Sequence, residues 1–303
     1  MPLIRYIDRN IKEEKLNLIY TANQIISEYQ DAGYTLTLRQ LYYQFVARGL
    51  IQNTQASYNK LGNAVSDGRM LGLIDWTAIT DRLRKVQSRN HFDDPSQLVD
   101  NMAGWYSTDL WADQEYRPEV WVEKDALADI VANVCEPLDV PYLVCRGYTS
   151  QTAMWEAGYY RTQDTLDANQ IPVIIHLGDH DPSGLDMSRD IGERISLFTG
   201  EFVEIDRIAL NMDQVDQYNP PPNPAKLTDS RVGSYISDYG ANSWELDALD
   251  PSVLSDIIMS AIARYMDLDL FKQAKDREIE QRKQLKMVSN RWPEITAWLE
   301  QNK

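Results

Sequence analysis

Apolar residues recur at helical spacing in the early part of the chain and in short blocks further on. Leu18, Ala22, Ile25, Ile26 and Tyr29 share one face of a helix expected over 10–30, ending before Gly33. Thr37, with Gln40 three residues on, reads as a capping box, so a second helix begins at Leu38 and stops near Gly49. Leu38, Leu41, Tyr42 and Phe45 make its apolar face, while Arg39 and Tyr43, four apart, fall on a different one. Thr54 caps a third helix to Gly68, with Tyr58, Leu61 and Val65 inward. A short strand over 73–79 would complete a helix–turn–helix with a hairpin-like end, the pattern of a winged helix. Such units contact DNA or other proteins, and the pattern alone leaves both open.

Beyond residue 110 the pattern changes. Short apolar blocks predict strands at 120–122, 142–145, 172–177 and 202–210, alternating with helices at 126–134, 150–167 and 184–197. This alternation implies an α/β class, with a mostly parallel sheet covered by helices. Residues 89–118, rich in Trp, Asp and Ser, are expected as a loop. The boundary near Asp109 divides a helical domain, 1–110, from an α/β domain, 111–303. Pro220 to Pro224 form a stiff loop, and helices follow at 251–266, 269–291 and 292–299. The charged 269–291 helix is expected either in solvent or against a dimer mate.

Composition narrows the class. No apolar run approaches membrane-spanning length and no signal-peptide pattern opens the chain, so a cytoplasmic protein without membrane association is expected. Cys135 and Cys145 lack ligand spacing and read as buried thiols, and His91, His176 and His180 are too scattered for a zinc site. A net charge of −16 argues against indiscriminate nucleic-acid binding. The excess is local, however. Residues 1–110 hold 12 basic and 12 acidic side chains, and 111–303 hold 18 and 34. A neutral first domain can still present a basic face, for example at Arg82, Arg84, Lys85 and Arg89.

The candidate chemistry sits at strand ends. Glu123 follows the block Val120 to Val122, and Asp179 and Asp181 follow Val173 to Leu177 across a glycine-containing turn. Carboxyl ends of parallel strands are where open α/β sheets bind ligands. Three acids there form a hard oxygen set suited to Mg²⁺ or Mn²⁺. Their structural alternative is helix N-capping. Lys124 either contacts phosphate or balances the acids.

Glu123, followed some fifty residues later by Asp179-x-Asp181-x-x-Gly184, resembles the Toprim domain of topoisomerases, primases and some nucleases, over 117–200. Thr37-Leu-Arg-x-Leu-Tyr-Tyr43 ahead of it is similar to the catalytic subunit of type IIB DNA topoisomerases and the related meiotic double-strand-break proteins. That resemblance implies a winged-helix domain whose nucleophile matches Tyr43 and whose arginine matches Arg39, beside a Toprim domain binding metal at Glu123, Asp179 and Asp181. It implies double-stranded DNA as substrate, a 5′-phosphotyrosyl intermediate, and a homodimer in which the tyrosine of one subunit faces the metal of the other. Arg146-Gly147-Tyr148 matches a family turn, with Arg146 facing either phosphate or solvent. Ser243 to Leu249 resembles a Glu-containing segment, for which a structural role is expected. Topoisomerases of the family need an ATP-binding B subunit, and this chain has no Gly-x-x-x-x-Gly-Lys-Ser/Thr run, so strand passage would need that partner in trans. Two alternatives stay open: a Toprim nuclease using water, and a non-catalytic DNA-binding module.

Overall fold

The computed structural model describes residues 3–79, 91–145, 147 and 149–302. Helices α1 (Glu13–Asp31), α2 (Leu38–Ala47) and α3 (Gln55–Met70) enclose a core that includes Ile19, Ile25, Leu41, Phe45, Leu61 and Val65. The capping box forms as the sequence indicates: Thr37 N–H donates to Gln40 Oε1 at 2.8 Å and Gln40 N–H to Thr37 Oγ1 at 3.3 Å. The strand expected over 73–79 does not form. Asp75 Oδ1 instead accepts the Thr77 N–H at 2.7 Å and holds a turn, so that Ile79 makes only a single bridge with Leu36. The basic cluster at Arg82, Arg84, Lys85 and Arg89 lies outside the described residues, as do Arg146 and Tyr148.

The expected 89–118 loop contains a helix, α4 (Pro95–Trp105). Asp94 caps it by accepting the Ser96 and Gln97 N–H groups, and Pro95 occupies the first helical turn, where its missing N–H costs nothing.

Four strands then alternate with helices: β1 (Tyr116–Val122), α5 (Ala128–Cys135), β2 (Tyr142–Val144), α6 (Gln151–Glu156), α7 (Gln163–Asp167), β3 (Ile171–Leu177), α8 (Pro182–Thr199) and β4 (Glu204–Ala209). A π-helical turn at Ala157–Thr162 joins α6 to α7. The strands form one parallel sheet in the order β2-β1-β3-β4, the α/β arrangement the alternation predicts. Both faces are buried, as a parallel sheet requires. Val120, Val122, Val173, Ile175 and Leu177 belong to one core, and Trp121 and Ile174 to the core on the opposite face, following the strand period of two.

The chain continues through α9 (Met212–Tyr218), β5 (Asn223–Pro224), α10 (Val232–Tyr239) and β6 (Asn242–Ser243), which pairs antiparallel with β5. Helix α11 (Pro251–Ala263) buries Leu254, Ile258 and Ile262 against the sheet, and α12 (Leu268–Asn290) and α13 (Trp292–Gln301) follow. The charged α12 is not wholly in solvent. It lies along α4 of its own chain, where Glu278 Oε2 accepts the Thr108 N–H at 2.7 Å and Lys286 pairs with Asp100 at 2.6 Å. No described helix is long and apolar enough to cross a membrane.

Candidate active site

In the order β2-β1-β3-β4 the chain runs outward from β1 to β2 and then crosses back to β3. The β1/β3 boundary is therefore the switch point, where a crevice opens at the strand carboxyl ends. Val122 and Leu177 are register partners there, so the residues that follow them are neighbours. Glu123 Oε2 accepts the Asp179 N–H at 2.9 Å. Asp181 Oδ1 accepts the Gly184 N–H at 2.7 Å and thereby caps α8, so the capping role considered for these acids is real for this one. Gly184 has no room for a side chain: a Cβ would lie 2.2 Å from the Asp179 carbonyl oxygen. Below the turn, the half-buried Arg207 guanidinium donates to the carbonyls of Gly178 (3.0 Å), Asp179 (2.8 Å) and Gly184 (2.9 Å).

A third segment, for which the sequence predicts a structural role, adds to the site. His180 and Trp244 exchange backbone hydrogen bonds at 2.9 and 3.0 Å, which lays residues 242–249 across the acidic turn. Leu246 N–H donates to Asp179 Oδ1 at 2.8 Å, and the segment delivers Glu245 and Asp247. Lys124 Nζ then sits among three carboxylates: Asp179 at 3.0 Å, Glu245 at 2.9 Å and Asp247 at 2.9 Å.

The helical unit enters this cluster from the other side. Tyr43 Oη donates to Glu245 Oε2 at 2.8 Å. Arg39 pairs with Glu245, and its Nε faces Asp247 Oδ2 at 2.9 Å as an ion pair without hydrogen-bond alignment. The expectation that Tyr43 lies off the buried face is corrected. Tyr42 and Tyr43 are both buried, the first with its hydroxyl on Asn53 and the second against the α/β unit. Helical phase marks the face turned to a helix's own core, and here a second face is covered by another part of the chain. The same geometry places Tyr43 beside acids of its own chain. Arg39, Tyr43, Asp179, Asp181 and Glu245 of one chain line a single cavity of about 430 Å³.

The electrostatics follow from this crowding. Burial, with the Asp247 and Glu245 carboxylates adding to it, holds the Tyr43 phenol well above its ordinary range. Burial opposes the charge on Lys124, but Asp247, Asp179 and Glu245 outweigh it and keep the ammonium firmly protonated. For Glu245 the balance runs the same way: Lys124 and Arg39 overcome burial and push its carboxyl down to about 2. Burial pushes Asp179 up to about 7 against the pull of Lys124, with Glu123 adding to the rise. Burial likewise raises Glu123.

Among the described residues no three His, Cys, Asp or Glu side chains are gathered as a ready metal cage. The donor chemistry nevertheless fits a hard divalent ion. Five carboxylates (Glu123, Asp179, Asp181, Glu245 and Asp247) face three cations (Lys124, Arg39 and Arg207), and this excess of acid is what a divalent ion would compensate. No protein-family model matches the chain, and no curated protein matches it.

Proposed function

We propose that the chain breaks DNA by transesterification on Tyr43. In this reading the helical unit is a winged-helix type DNA-binding domain and the α/β unit a Toprim-like one. The observation that carries it is the Tyr43 hydroxyl 2.8 Å from Glu245, in a cavity shared with Asp179 and Asp181. Tyr43 Oη attacks the scissile phosphorus, the bond to the 3′ oxygen breaks, and a 5′-phosphotyrosyl ester forms. The phenol proton passes to Glu245, and Lys124 supplies the proton taken up by the departing 3′ oxygen. Glu245 then returns a proton to Lys124, 2.9 Å away, which balances the step.

At rest the arrangement is held back. The phenol is a poor nucleophile, and Lys124 and Arg39 keep Glu245 a weak base. A DNA phosphate entering the cavity competes for those two cations. As they turn toward it, Glu245 regains proton affinity, and positive charge arrives where the phosphorane develops. Glu123, Asp179 and Asp181 would hold Mg²⁺ or Mn²⁺, whose chemistry there is to neutralise charge on the scissile phosphate. A homodimer would set two such sites on a duplex, and an ATP-binding B-type subunit in trans would be required for strand passage.

The test is incubation with plasmid DNA and Mg²⁺ followed by denaturation. Covalent protein–DNA adducts support the proposal. Free cleaved ends would assign a nuclease in which water attacks, and intact DNA a non-catalytic binding module.

A further inference from the structure

We propose that Arg207 is the positioning residue of the acidic turn: its guanidinium holds the main chain of residues 178–184 in the shape that lets Glu123, Asp179 and Asp181 take a divalent ion. This rests on the reading that those three carboxylates bind Mg²⁺ or Mn²⁺. Arg207 stands on β4, where His176 of β3 is its register partner, and the next β3 residue, Leu177, pairs with Ala209. Strand β4 therefore carries one extra residue, Ile208, and such a bulge re-aims side chains beside a site.

The hydrogen bonds of the guanidinium go to neutral acceptors, all but one of them main-chain carbonyls. Nη2 donates to Gly178 and Asp179 in the turn, and to Leu210 at 3.2 Å just past β4. Nη1 donates to Gly184 in the first turn of α8 and to Ser188 Oγ at 3.0 Å. One planar fork thus ties three segments together, which a lysine ammonium cannot reproduce. Gly178 makes room for it: a Cβ there would lie 3.2 Å from Arg207 Nη1 and 3.2 Å from Glu123 Oε2. With the main chain so held, each acid uses one oxygen on a backbone amide. Glu123 Oε2 accepts from Asp179, Asp179 Oδ1 from Leu246, and Asp181 Oδ1 from Gly184. Among the described residues the second oxygen of each acid carries no hydrogen bond, which leaves it for an ion.

The simpler role for Arg207 is to balance the charge of the acids, and the two roles predict opposite signs. A cation beside the acids repels an incoming ion, so removing a mere counter-charge tightens ion binding, whereas removing a support loosens it. Mn²⁺ binding to the DNA-free protein, read from the paramagnetic resonance of the free ion, decides between them. Arg207→Gln removes both charge and fork, and Arg207→Lys keeps the charge without the fork. Both should bind Mn²⁺ about 10–100-fold more weakly than wild type. Tighter binding by Arg207→Gln, or unchanged binding by Arg207→Lys, overturns the proposal. A second measurement needs no variant. Hydrogen exchange in wild-type peptides covering 177–188 should show the same protection without metal as at saturating Mn²⁺, because the support is built into the fold. Protection that appears only with Mn²⁺ overturns the proposal. These outcomes leave the metal reading intact, whereas a wild type that binds no Mn²⁺ overturns both.

Discussion

Tyr42 and Tyr43 are adjacent and both buried, and they differ in what their hydroxyls touch. Tyr42 Oη donates to Asn53 Oδ1 at 2.9 Å, and Tyr43 Oη donates to Glu245. Replacing either with Phe keeps the ring and removes the hydroxyl, which in Tyr42 also reaches the Thr54 carbonyl oxygen at 3.2 Å, so each should lose about 0.5–1.5 kcal/mol of stability in urea unfolding. Adduct formation separates them: Tyr43→Phe should abolish it and Tyr42→Phe should retain it. The reverse pattern would move the nucleophile to Tyr42.

His176 gives a prediction of different kind. Burial beside Arg207 pushes its imidazole down to about 3, against a reference of about 6.5 in the unfolded chain. Below the reference value the unfolded state binds a proton that the native state refuses, so this residue's contribution falls as pH drops. Asp179 runs the other way. Its carboxyl, raised by burial, favours the folded state at low pH and loses that contribution as pH rises toward 7. The two oppose each other in one window, so the difference between wild type and His176→Gln is the useful quantity. Between pH 6.5 and 5 the variant should lose about 1.5 kcal/mol less stability than wild type. Equal losses would mean that His176 takes up its proton without unfolding.

At the scale of elements, the β3–α8 turn is the most constrained part of the site. A methyl at Gly184 meets backbone rather than a movable side chain, so Gly184→Ala should cost about 1–3 kcal/mol and displace Asp179, with cleavage lost out of proportion to stability. Gly104→Ala in α4 is the counterpart. Its Cβ meets nothing within 4 Å, and the helix should gain up to about 1 kcal/mol. Thermal unfolding of the two variants checks both signs.

Much of this level was legible. The Thr37 capping box, the strand blocks and the placement of Glu123, Asp179 and Asp181 at strand ends all rest on local spacing. Glu245 and Asp247 were missed because their importance depends on contacts far along the chain with Asp179, Lys124 and Arg39. A signal was present: the acids alternate in sequence with Trp244, Leu246 and Ala248, apolar residues that are all buried. Helix α4 was hidden for a different reason. Its Asp94-Pro95 start is a good one, but its apolar residues serve a stripe shared with α12, which lies far away in sequence.

For the whole molecule, the excess of 34 acidic over 18 basic side chains in residues 111–303 meets its sharpest expression at the β1/β3 crevice. Lys124 and Arg39 neutralise part of it, and both are groups the proposed chemistry needs for phosphate. A divalent ion at Glu123, Asp179 and Asp181 would relieve repulsion that the side-chain cations leave. It would also weaken the hold of Asp179 on Lys124, so ion binding and release of the lysine are coupled. Because an ion bound only by the native state stabilises it by mass action, saturating Mg²⁺ or Mn²⁺ should raise the unfolding temperature. At a hundredfold excess over the dissociation constant the gain is about 2.7 kcal/mol. Potassium chloride at matched ionic strength should reproduce little of it, since screening acts on exposed charges and Asp179 is buried. Asp179→Asn should remove the magnesium-specific part, whereas neutralising the exposed Glu294 should not. A rise of equal size in potassium chloride, or one that survives in Asp179→Asn, would place the effect on the general acidic surface and leave these three carboxylates without an ion.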